Sequence, residues 1–471
     1  MLKEAKRIHI PGIGGRGIPG IARILNERGF VISGSDDWSS AALADLAGIG
    51  IDLSSRFEPE CVEGADLVVQ TPGVGADNVE IMAAHRAGIE VVSHSALLAQ
   101  MLDGHRIVGV TGTHGKGTVT SMIAWILECA GLAPGFIASA RLHNLGLEAR
   151  DAQGPWFVVE LNEPLNAAEA FLCDYMVCSF LDLSDRGGAR KTTNDRVDSM
   201  TSVLELNRRL KEAFINLDCK GNRELVRQVA MRPTGYGVEH KAEYRASHTD
   251  GAGSTNCFDA FHRDRQIGKF ELALAGQHNV VNALGAIAVT RRIGVAPEVV
   301  AEALKSYEGQ DHRYTVASGG GVTIIKNFVD HPSQIKPVLR SAQAELTGQL
   351  VAVFEPYRVS LDDDVRRQLA ETFAMCDAVV IVGERSEGKS GVEKLVRLLR
   401  QQEMEVHRLG EAMSDKLCAM AQPGDTIAFF GSDAFLEQAD ELQARLAIRA
   451  GQTAAKEEQP RLDGPLADGE Q

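Results

Sequence analysis

Apolar and polar positions along this chain alternate in blocks that predict strands and helices in turn. The apolar run "RIHIPG" at residues 7–12 leads into "GIGGRGIPG", and "IPGIARILNERG" then shows a helical pattern. A second strand pattern, "FVISGSD", follows at residues 30–36, and residues 65–74 and 89–102 continue the alternation. Such alternation predicts a parallel sheet with right-handed crossovers.

The alternation starts again at "HRIVGVTGTHGKG", where a strand pattern runs into another glycine-rich loop. The apolar residues of the next segment recur at helical spacing and predict one buried helix face. They are Met122, Ile123, Ile126, Leu127 and Ala130.

A third block begins near residue 313 and contains four buried-type strand patterns. They cover residues 348–356, 376–384, 404–409 and 424–431. Between them, Val365, Leu369 and Phe373 recur every four residues and predict a helix. We therefore predict three α/β domains, at residues 1–105, 106–312 and 313–450, followed by a disordered acidic tail at 451–471.

Composition agrees with this organisation. A chain of 471 residues has room for roughly three domains of about 100–200 residues each. Neither a membrane-length apolar run nor a signal-type N-terminus is present, so we expect a cytoplasmic protein without a membrane partner. The net charge of −15 argues against nucleic-acid binding. The eight cysteines form no C-x-x-C pair, which argues against a zinc site or a disulfide framework.

The first glycine loop has the spacing G-x-G-x-x-G at Gly12, Gly14 and Gly17. Asp36 follows about 20 residues later, where a dinucleotide-binding unit places an acid that binds ribose. Such a loop can bring a diphosphate to a helix N-terminus, or it can be a tight turn with no ligand. Both interpretations stay open at this point.

The second loop, "GTHGKGT", is similar to a P-loop but shorter. Gly112, Gly115 and Lys116 match the P-loop, whereas Gly117 stands where a metal-binding hydroxyl is expected and Thr118 comes one residue later. A lysine directly after a loop glycine favours nucleotide binding over a structural turn. We expect Lys116 beside the β- and γ-phosphates and Thr118 near magnesium.

Several ordered motifs resemble the Mur ligase family over nearly the whole chain. The opening block looks like that family's UDP-binding segment, and "GTHGKGT" looks like its ATP loop, G-T-H-G-K-T-T-T. "GQHNVVNALGAIAV" is similar to its G-x-H-N-x-x-N-A motif, "DHRY" to the turn that ends the central domain, and "NFVDHPSQI" to the opening of the C-terminal domain. Two branches are candidates: the L-alanine ligase, and the recycling ligase that adds L-alanyl-γ-D-glutamyl-meso-diaminopimelate.

The resemblance implies a Rossmann-like N-terminal domain, a central P-loop ATPase-type domain and a Rossmann-like C-terminal domain. It implies ATP-driven amide formation on the carboxylate of UDP-N-acetylmuramate through an acyl phosphate, in peptidoglycan precursor synthesis or recycling. The cofactors would be ATP and Mg²⁺, and the partners UDP-N-acetylmuramate and an amino acid or peptide. We expect a monomer or weak dimer.

The resemblance also carries site residues over. The expected ATP site contains Gly112, Thr113, His114, Gly115, Lys116, Gly117, Thr118, His278, Asn279 and Asn282, and the expected UDP site contains Gly12, Gly14, Gly15, Gly17, Ser35 and Asp36. Lys116, Glu163 and Arg313 are the candidate catalytic residues, and Thr118, Glu160 and Glu163 the candidate metal ligands. His331 and Arg358 are candidates for binding the amine substrate or closing the site. Some of these residues also have structural interpretations: Glu160 and Glu163 as surface carboxylates, Asn279 as a helix cap, and His331 as a structural histidine.

Several positions depart from the family pattern. Asn162 replaces an acid, and Cys178, Ser179, Leu183 and Ser184 occupy a motif whose histidine binds a second metal. Asp182 and Asp185 lie nearby, and Lys326 with Asn327 replaces an Asp-Asp pair. Three alternatives therefore stay open: the ligase described above, a related ligase for another carboxylate, and a non-catalytic nucleotide- or UDP-sugar-binding protein. An NAD-linked oxidoreductase is a fourth, less favoured possibility.

Overall fold

The computed structural model describes residues 2, 4–37, 41–161, 173–181, 193–252, 255–274, 276–311, 315–329, 331–344, 346–356, 363–382, 389–410 and 413–457. These residues divide into two compact units, of which the first ends at Asp311. The described residues of each predicted domain contain a sheet of their own.

The N-terminal sheet has five parallel strands in the order β3-β2-β1-β4-β5. Helices connect the strands, because parallel neighbours need a crossover. The strand order reverses at β1, so the loop after β1 lies where such sheets bind ligands. The strands are β1 (Arg7–Pro11), β2 (Val31–Ser35), β3 (Asp52–Ser54), β4 (Leu67–Gln70) and β5 (Glu90–Ser93), and the helices are α1 (Ile18–Glu27), α2 (Ala41–Gly48), α3 (Val79–Ala87) and α4 (His94–Met101).

The central sheet has ten strands, ordered β15-β14-β13-β12-β11-β10-β6-β9-β7-β8. Its middle is parallel, whereas β8, β14 and β15 pair antiparallel with their neighbours. The strands are β6 (Arg106–Thr111), β7 (Gly135–Leu142), β8 (Leu147–Arg150), β9 (Trp156–Glu160), β10 (Tyr175–Cys178), β11 (Glu212–Asn216), β12 (Thr234–Gly237), β13 (Tyr244–Ala252), β14 (Thr255–His262) and β15 (Arg265–Leu272). The helices are α5 (Lys116–Cys129), α6 (Thr193–Leu206), α7 (Lys220–Gln228), α8 (Gln277–Ile293) and α9 (Pro297–Lys305).

The C-terminal sheet has six strands in the order β16-β17-β21-β18-β19-β20, parallel except for β16. The strands are β16 (Thr315–Gly319), β17 (Val322–Asn327), β18 (Leu350–Phe354), β19 (Ala378–Val382), β20 (Glu405–Leu409) and β21 (Thr426–Phe430). The helices are α10 (Pro332–Ala344), α11 (Asp363–Phe373), α12 (Lys389–Gln401), α13 (Met413–Met420) and α14 (Asp433–Glu457).

The predicted helix faces are buried as the periodicity requires. Met122, Ile123, Ile126 and Leu127 are fully buried on α5, and Ala130, just beyond its end, packs partly buried against the same core. Val365, Leu369 and Phe373 are buried on α11. The α14 helix ends at Glu457, so residues 451–457 of the predicted tail are helical, in agreement with their alanine-rich composition. The rest of that prediction lies outside the described residues.

In the described part of the chain, none of the helices combines the length and the apolar character that crossing a membrane requires. The eight cysteines all lie among the described residues, and none of them forms a disulfide bond there.

Candidate functional site

The glycine loop after β1 turns the chain sharply into α1. Gly12 and Gly17 have φ angles of 72° and 76°, a region that side chains other than glycine rarely adopt. A Cβ at Gly12 would lie 2.7 Å from Oγ1 of Thr71, the residue after β4, so this neighbour also disfavours a side chain there. Gly15 closes the turn, because its N–H donates to Gly12 O over 3.0 Å.

Ser35 ends β2 and Asp36 follows it, and both side chains form hydrogen bonds with neighbouring residues. The Gly14 N–H donates to Asp36 Oδ2 over 2.9 Å, so the carboxylate lies against the glycine loop. The Ser35 hydroxyl donates to Glu80 Oε2 over 2.5 Å, inside the fold. Glu80 is fully buried, and hydrogen bonds from His9 and Ser35 help to hold the pKa of its carboxyl below the usual value, against the effect of burial. Ser35 therefore helps to hold the first glycine loop in place from inside the fold.

The loop after β6 has the geometry of a phosphate-binding turn. Gly112 and Gly115 have φ angles of 125° and 80°, and α5 begins directly at Lys116. The first N–H groups of a helix have no intrahelical acceptor and carry a partial positive charge. Lys116 Nζ donates to Gly112 O over 2.8 Å, so the half-buried lysine folds over its own loop.

The segment after β10 braces this loop. Ser179 Oγ lies 2.9 Å from Thr111 O and 2.6 Å from His114 O. Phe180 O accepts hydrogen bonds from the N–H groups of Thr113 and His114, over 2.5 Å and 3.2 Å. The altered motif at Cys178 and Ser179 thus has a structural role, since it fixes the loop backbone.

The start of α8 packs against the same loop. A Cβ at Gly115 would lie only 2.6 Å from Asn282 Oδ1. Asn282 Nδ2 in turn donates to Asn279 Oδ1 over 3.3 Å, and Asn279 is buried. Burial lowers the pKa of His278 to about 4, so its imidazole is neutral at pH 7 and can accept or donate a hydrogen bond. The structure therefore places Asn282 against the loop and Asn279 beside Asn282, whereas His278 lies at the start of the same helix.

Glu160 ends β9, next to β6, and its Oε2 accepts the Ser139 N–H over 2.9 Å. A Cβ at Gly117 would lie 3.0 Å from Gln310 Oε1, 3.2 Å from Ser139 Oγ and 3.3 Å from Glu160 Oε2. Gln310 Oε1 and Ser139 Oγ are buried and have no hydrogen-bond partner. We call Glu160, Ser139 and Gln310 the oxygen cluster.

The oxygen cluster fits a magnesium ion. Mg²⁺ prefers hard oxygen ligands, and in nucleotide sites it is held by one or two carboxylates together with phosphates. The described residues contain no group of three or more His, Cys, Asp or Glu side chains arranged for a metal. One carboxylate with two unpartnered neutral oxygens agrees with a metal held jointly with phosphate. Thr118 lies about 100° further around α5 than Gly117, so it does not project in the same direction.

A small cleft, open to solvent, lies between the N-terminal glycine loop and Glu160. Its polar lining comes from both sheets and contains Arg16, His94, Ser139 and Glu160. Gly17, Ile21 and Leu98 face Ile137 and Ala138 across the cleft's apolar part. A ligand in this cleft would therefore contact the first glycine loop and reach the oxygen cluster.

Several predicted positions lie outside the described residues. They are Glu163, Arg313 and Arg358, together with Asn162, Asp182, Leu183, Ser184 and Asp185. His331 is described: it is buried in the second unit, and its carbonyl accepts the Gln334 N–H at the start of α10. Lys326, which replaces a family aspartate, forms an ion pair of 2.6 Å with Asp440 on α14.

Sequence reasoning missed Ser139, Gln310 and the cleft residue Arg16. It noted Ser179 in an altered motif but did not predict the contacts of Ser179 with the loop. Arg16 stands inside the glycine motif, which is a signal that could have identified it. Ser139 and Gln310 lie in segments without a local motif, and only tertiary contacts bring them to the loop after β6.

These features define a class of protein: a three-sheet α/β chain with one glycine loop where the strand order of its first sheet reverses, and a second, P-loop-like turn beside a carboxylate. The Mur ligase family model, described as a catalytic domain, matches residues 7–106. The UDP-N-acetylmuramate–L-alanine ligase of Anaeromyxobacter dehalogenans is 31% identical over 391 residues, which cover 83% of this chain and 85% of that one.

Solved structures of two ligases share the fold of this chain. The UDP-N-acetylmuramate–alanine ligase of Thermotoga maritima aligns with a TM-score of 0.80 and 21% identity, covering 95% of this chain and 99% of that one. The UDP-N-acetylmuramate:L-alanyl-γ-D-glutamyl-meso-diaminopimelate ligase of Neisseria meningitides aligns with a TM-score of 0.59 and 27% identity, covering 64% and 98%. This chain belongs to the Mur ligase family, whose members are ATP-dependent acid–amino-acid ligases.

Proposed function

We propose that this protein joins an amino acid or peptide to the carboxylate of UDP-N-acetylmuramate, with ATP as the energy source. The observation that carries the proposal is the cleft in which the N-terminal glycine loop, Ser139 and Glu160 meet beside the Lys116 loop. Such an arrangement can hold a sugar nucleotide and a nucleoside triphosphate at one place. It would act in the cytoplasm, as a monomer or weak dimer, in peptidoglycan precursor synthesis or recycling.

ATP binding is assigned to the loop after β6 and to the start of α8. The N–H groups at the start of α5 and the Lys116 ammonium would hold the β- and γ-phosphates, with Gly112, Thr113, His114, Gly115, Gly117 and Thr118 forming the loop. Asn279, Asn282 and the neutral His278 would hydrogen-bond the base or ribose.

The UDP-sugar is assigned to the first glycine loop. Gly12, Gly14, Gly15 and Gly17 let the diphosphate approach the N-terminus of α1, and Asp36 lies beside the loop to accept a hydroxyl. The sugar carboxylate would then extend along the cleft towards Glu160. Arg16 adds a positive charge on this route.

Magnesium is assigned to Glu160 and the neutral oxygens beside it. When bound, the ion neutralises charge on the phosphates and on the carboxylate that reacts. Glu163 as a further ligand, Arg313 as a phosphate ligand, and Arg358 and His331 as groups that bind the amine or close the site stay predictions.

The chemistry follows from carboxylate being a poor electrophile. The carboxylate oxygen attacks the γ-phosphorus of ATP and ADP leaves, giving an acyl phosphate. The neutral amine then attacks the acyl carbon and forms the C–N bond of a tetrahedral intermediate. The C–O bond to phosphate breaks, inorganic phosphate leaves with the electron pair, and the nitrogen loses a proton to give the amide. Lys116 would stabilise the transferring phosphoryl group, since this reaction depends on positioning and charge neutralisation.

L-alanine is the first amine to test, because the relative at 31% identity is named an L-alanine ligase. The measurement is phosphate release from ATP and Mg²⁺ with UDP-N-acetylmuramate plus L-alanine, or plus L-alanyl-γ-D-glutamyl-meso-diaminopimelate, with the product mass recorded. Ligation of either amine supports the proposal. Nucleotide binding without turnover for every amine and carboxylate would favour a non-catalytic protein instead, for which the departures at Gly117 and Ser179 are the supporting observation.

A further inference from the structure

The residue after the loop lysine is the unusual feature of this site. A P-loop places a serine or threonine there, and its hydroxyl ligates magnesium. This chain has Gly117, which has no side chain to offer. The oxygen that the metal would otherwise receive from the loop must therefore come from elsewhere.

Gln310 occupies the space that opens beside Gly117. Its Oε1 lies 3.0 Å from where a Cβ of residue 117 would stand, which is nearer than ordinary side-chain contact allows. Gln310 is 1% exposed, and its Oε1 has no hydrogen-bond partner. A buried amide oxygen without a partner costs free energy, which a ligand at the oxygen cluster would offset.

The backbone around Gln310 holds this side chain in place. Asp311 N–H donates to Arg141 O over 3.0 Å, and His143 N–H donates to Gly309 O over 3.1 Å. The other end of the amide is also fixed, since Gln310 Nε2 donates to Ala140 O over 3.2 Å. With the amide nitrogen engaged in this way, its oxygen points towards Gly117 and Glu160.

We propose that Gln310 Oε1, together with Ser139 Oγ, supplies the neutral oxygen that Gly117 lacks and so helps to hold the nucleotide-bound divalent cation. An amide oxygen replaces a hydroxyl without changing the charge of the site. The proposal also agrees with glycine at position 117, because a Cβ there would force Gln310 Oε1 to shift by a few tenths of an ångström. It rests on the proposed function, since it names a ligand within the same ATP site.

The test is Mn²⁺ binding to the full-length protein with a non-hydrolysable ATP analogue, followed by electron paramagnetic resonance. Gln310→Met keeps the length of the side chain and removes the oxygen, and we expect Mn²⁺ affinity to fall about tenfold. Gln343→Leu is the matched control, because Gln343 Nε2 also donates to a backbone carbonyl, that of Met375, over 2.7 Å. It should bind Mn²⁺ as the wild type does.

A compensating double variant distinguishes loss of a metal ligand from loss of folding. Gly117→Ser combined with Gln310→Ala returns a hydroxyl and removes the close contact, so its Mn²⁺ affinity should approach the wild-type value. Wild-type affinity in folded Gln310→Met, with or without a lower Tm, would show a purely structural glutamine and overturn the inference. A folded double variant that does not recover would do the same.

The outcomes separate this inference from the proposed function. If the enzyme ligates and Gln310→Met binds Mn²⁺ normally, only the inference fails. If Gln310→Met weakens Mn²⁺ binding but the protein ligates no amine, only the proposed function fails. A wild-type protein that binds no Mn²⁺ with the nucleotide analogue overturns both.

Discussion

At the scale of single residues, Lys116 combines a structural contact with the charge that the reaction needs. Its ammonium donates to the loop carbonyl of Gly112, which keeps the side chain over the turn and not extended into water. An ammonium has three N–H donors and a full positive charge, which suits it to a site that binds phosphate oxygens. The side chain is therefore held close to its expected working position.

Lys116→Met should lower kcat for ATP-dependent ligation by about 100-fold or more, because a preorganised charge on the phosphoryl group is lost. Phosphate release with saturating substrates measures this. Lys220→Met is the matched control, since Lys220 is also the first residue of a helix but is exposed. Equal losses in both variants would contradict the assignment.

His143 makes a second residue-scale prediction, on stability. A hydrogen bond to Asp311 raises the pKa of His143, whose Nε2 lies 2.8 Å from Asp311 Oδ1. A raised pKa in the folded state means that the protonated ring stabilises the fold. That contribution is complete below the unfolded value of about 6.5 and is lost as pH rises through the folded pKa.

His143→Gln should therefore lower the free energy of unfolding by less than about 1 kcal/mol at pH 6, because the pair is partly exposed, and by little at pH 9. Urea unfolding at the two pH values measures the difference. Asp311→Asn is less suitable, since Arg141 Nε also lies 3.8 Å from Asp311 Oδ2. A wild type and a His143→Gln variant with the same pH dependence would refute the prediction.

At the scale of elements, each glycine loop joins a strand to a helix within a few residues. The loop after β6 also has to fit under α8, which is why Gly115 is constrained twice. Its φ angle of 80° disfavours a side chain, and a Cβ would lie 2.6 Å from Asn282 Oδ1. The loop is thus tightly packed between β6, α5 and α8.

Gly115→Ala should destabilise the protein by about 1–3 kcal/mol more than Gly131→Ala and should weaken binding of an ATP analogue. Gly131 is the matched control, since its φ of 70° is similar but no atom lies within 4 Å of its would-be Cβ. Urea unfolding and calorimetric titration are the measurements. Similar results for both variants would mean that backbone strain alone decides the cost.

At the scale of the first unit, the N-terminal and central sheets share a close contact. A Cβ at Gly20 on α1 would lie 2.5 Å from Ala149 Cβ on β8. Nearby, Arg28 forms two hydrogen bonds of 2.7 Å to Asp151. These contacts hold α1, which follows the first glycine loop, close against β8 of the central sheet.

Gly20→Ala should cost about 1–3 kcal/mol through crowding, reduced by the roughly 1 kcal/mol that alanine gains in a helix, and should weaken UDP-sugar binding. Ala149→Gly added to Gly20→Ala should restore that binding. A double-mutant cycle by urea unfolding and UDP-N-acetylmuramate titration measures both effects. Strictly additive effects would show that the two residues do not interact.

Much of the fold followed from local pattern. The strand at residues 348–356 and the α11 face with Val365, Leu369 and Phe373 were predictable because spacing along the chain decides which side is buried. The P-loop-like turn was predictable from Gly112, Gly115 and Lys116. The involvement of Ser179 was not, because strand pairing and not sequence proximity brings it there.

The sequence by itself determined the βα alternation, the three sheets and the place of both glycine loops, since periodicity and backbone conformation depend on near neighbours. Only the tertiary structure decided which oxygens surround Gly117. Ser139 and Glu160 meet because β7 and β9 are parallel neighbours, and Gln310 joins them because the segment after α9 pairs with Leu142 at the end of β7. The missing hydroxyl at position 117 can be recognised from the motif alone. Which groups could replace it depends on contacts between residues far apart in the chain.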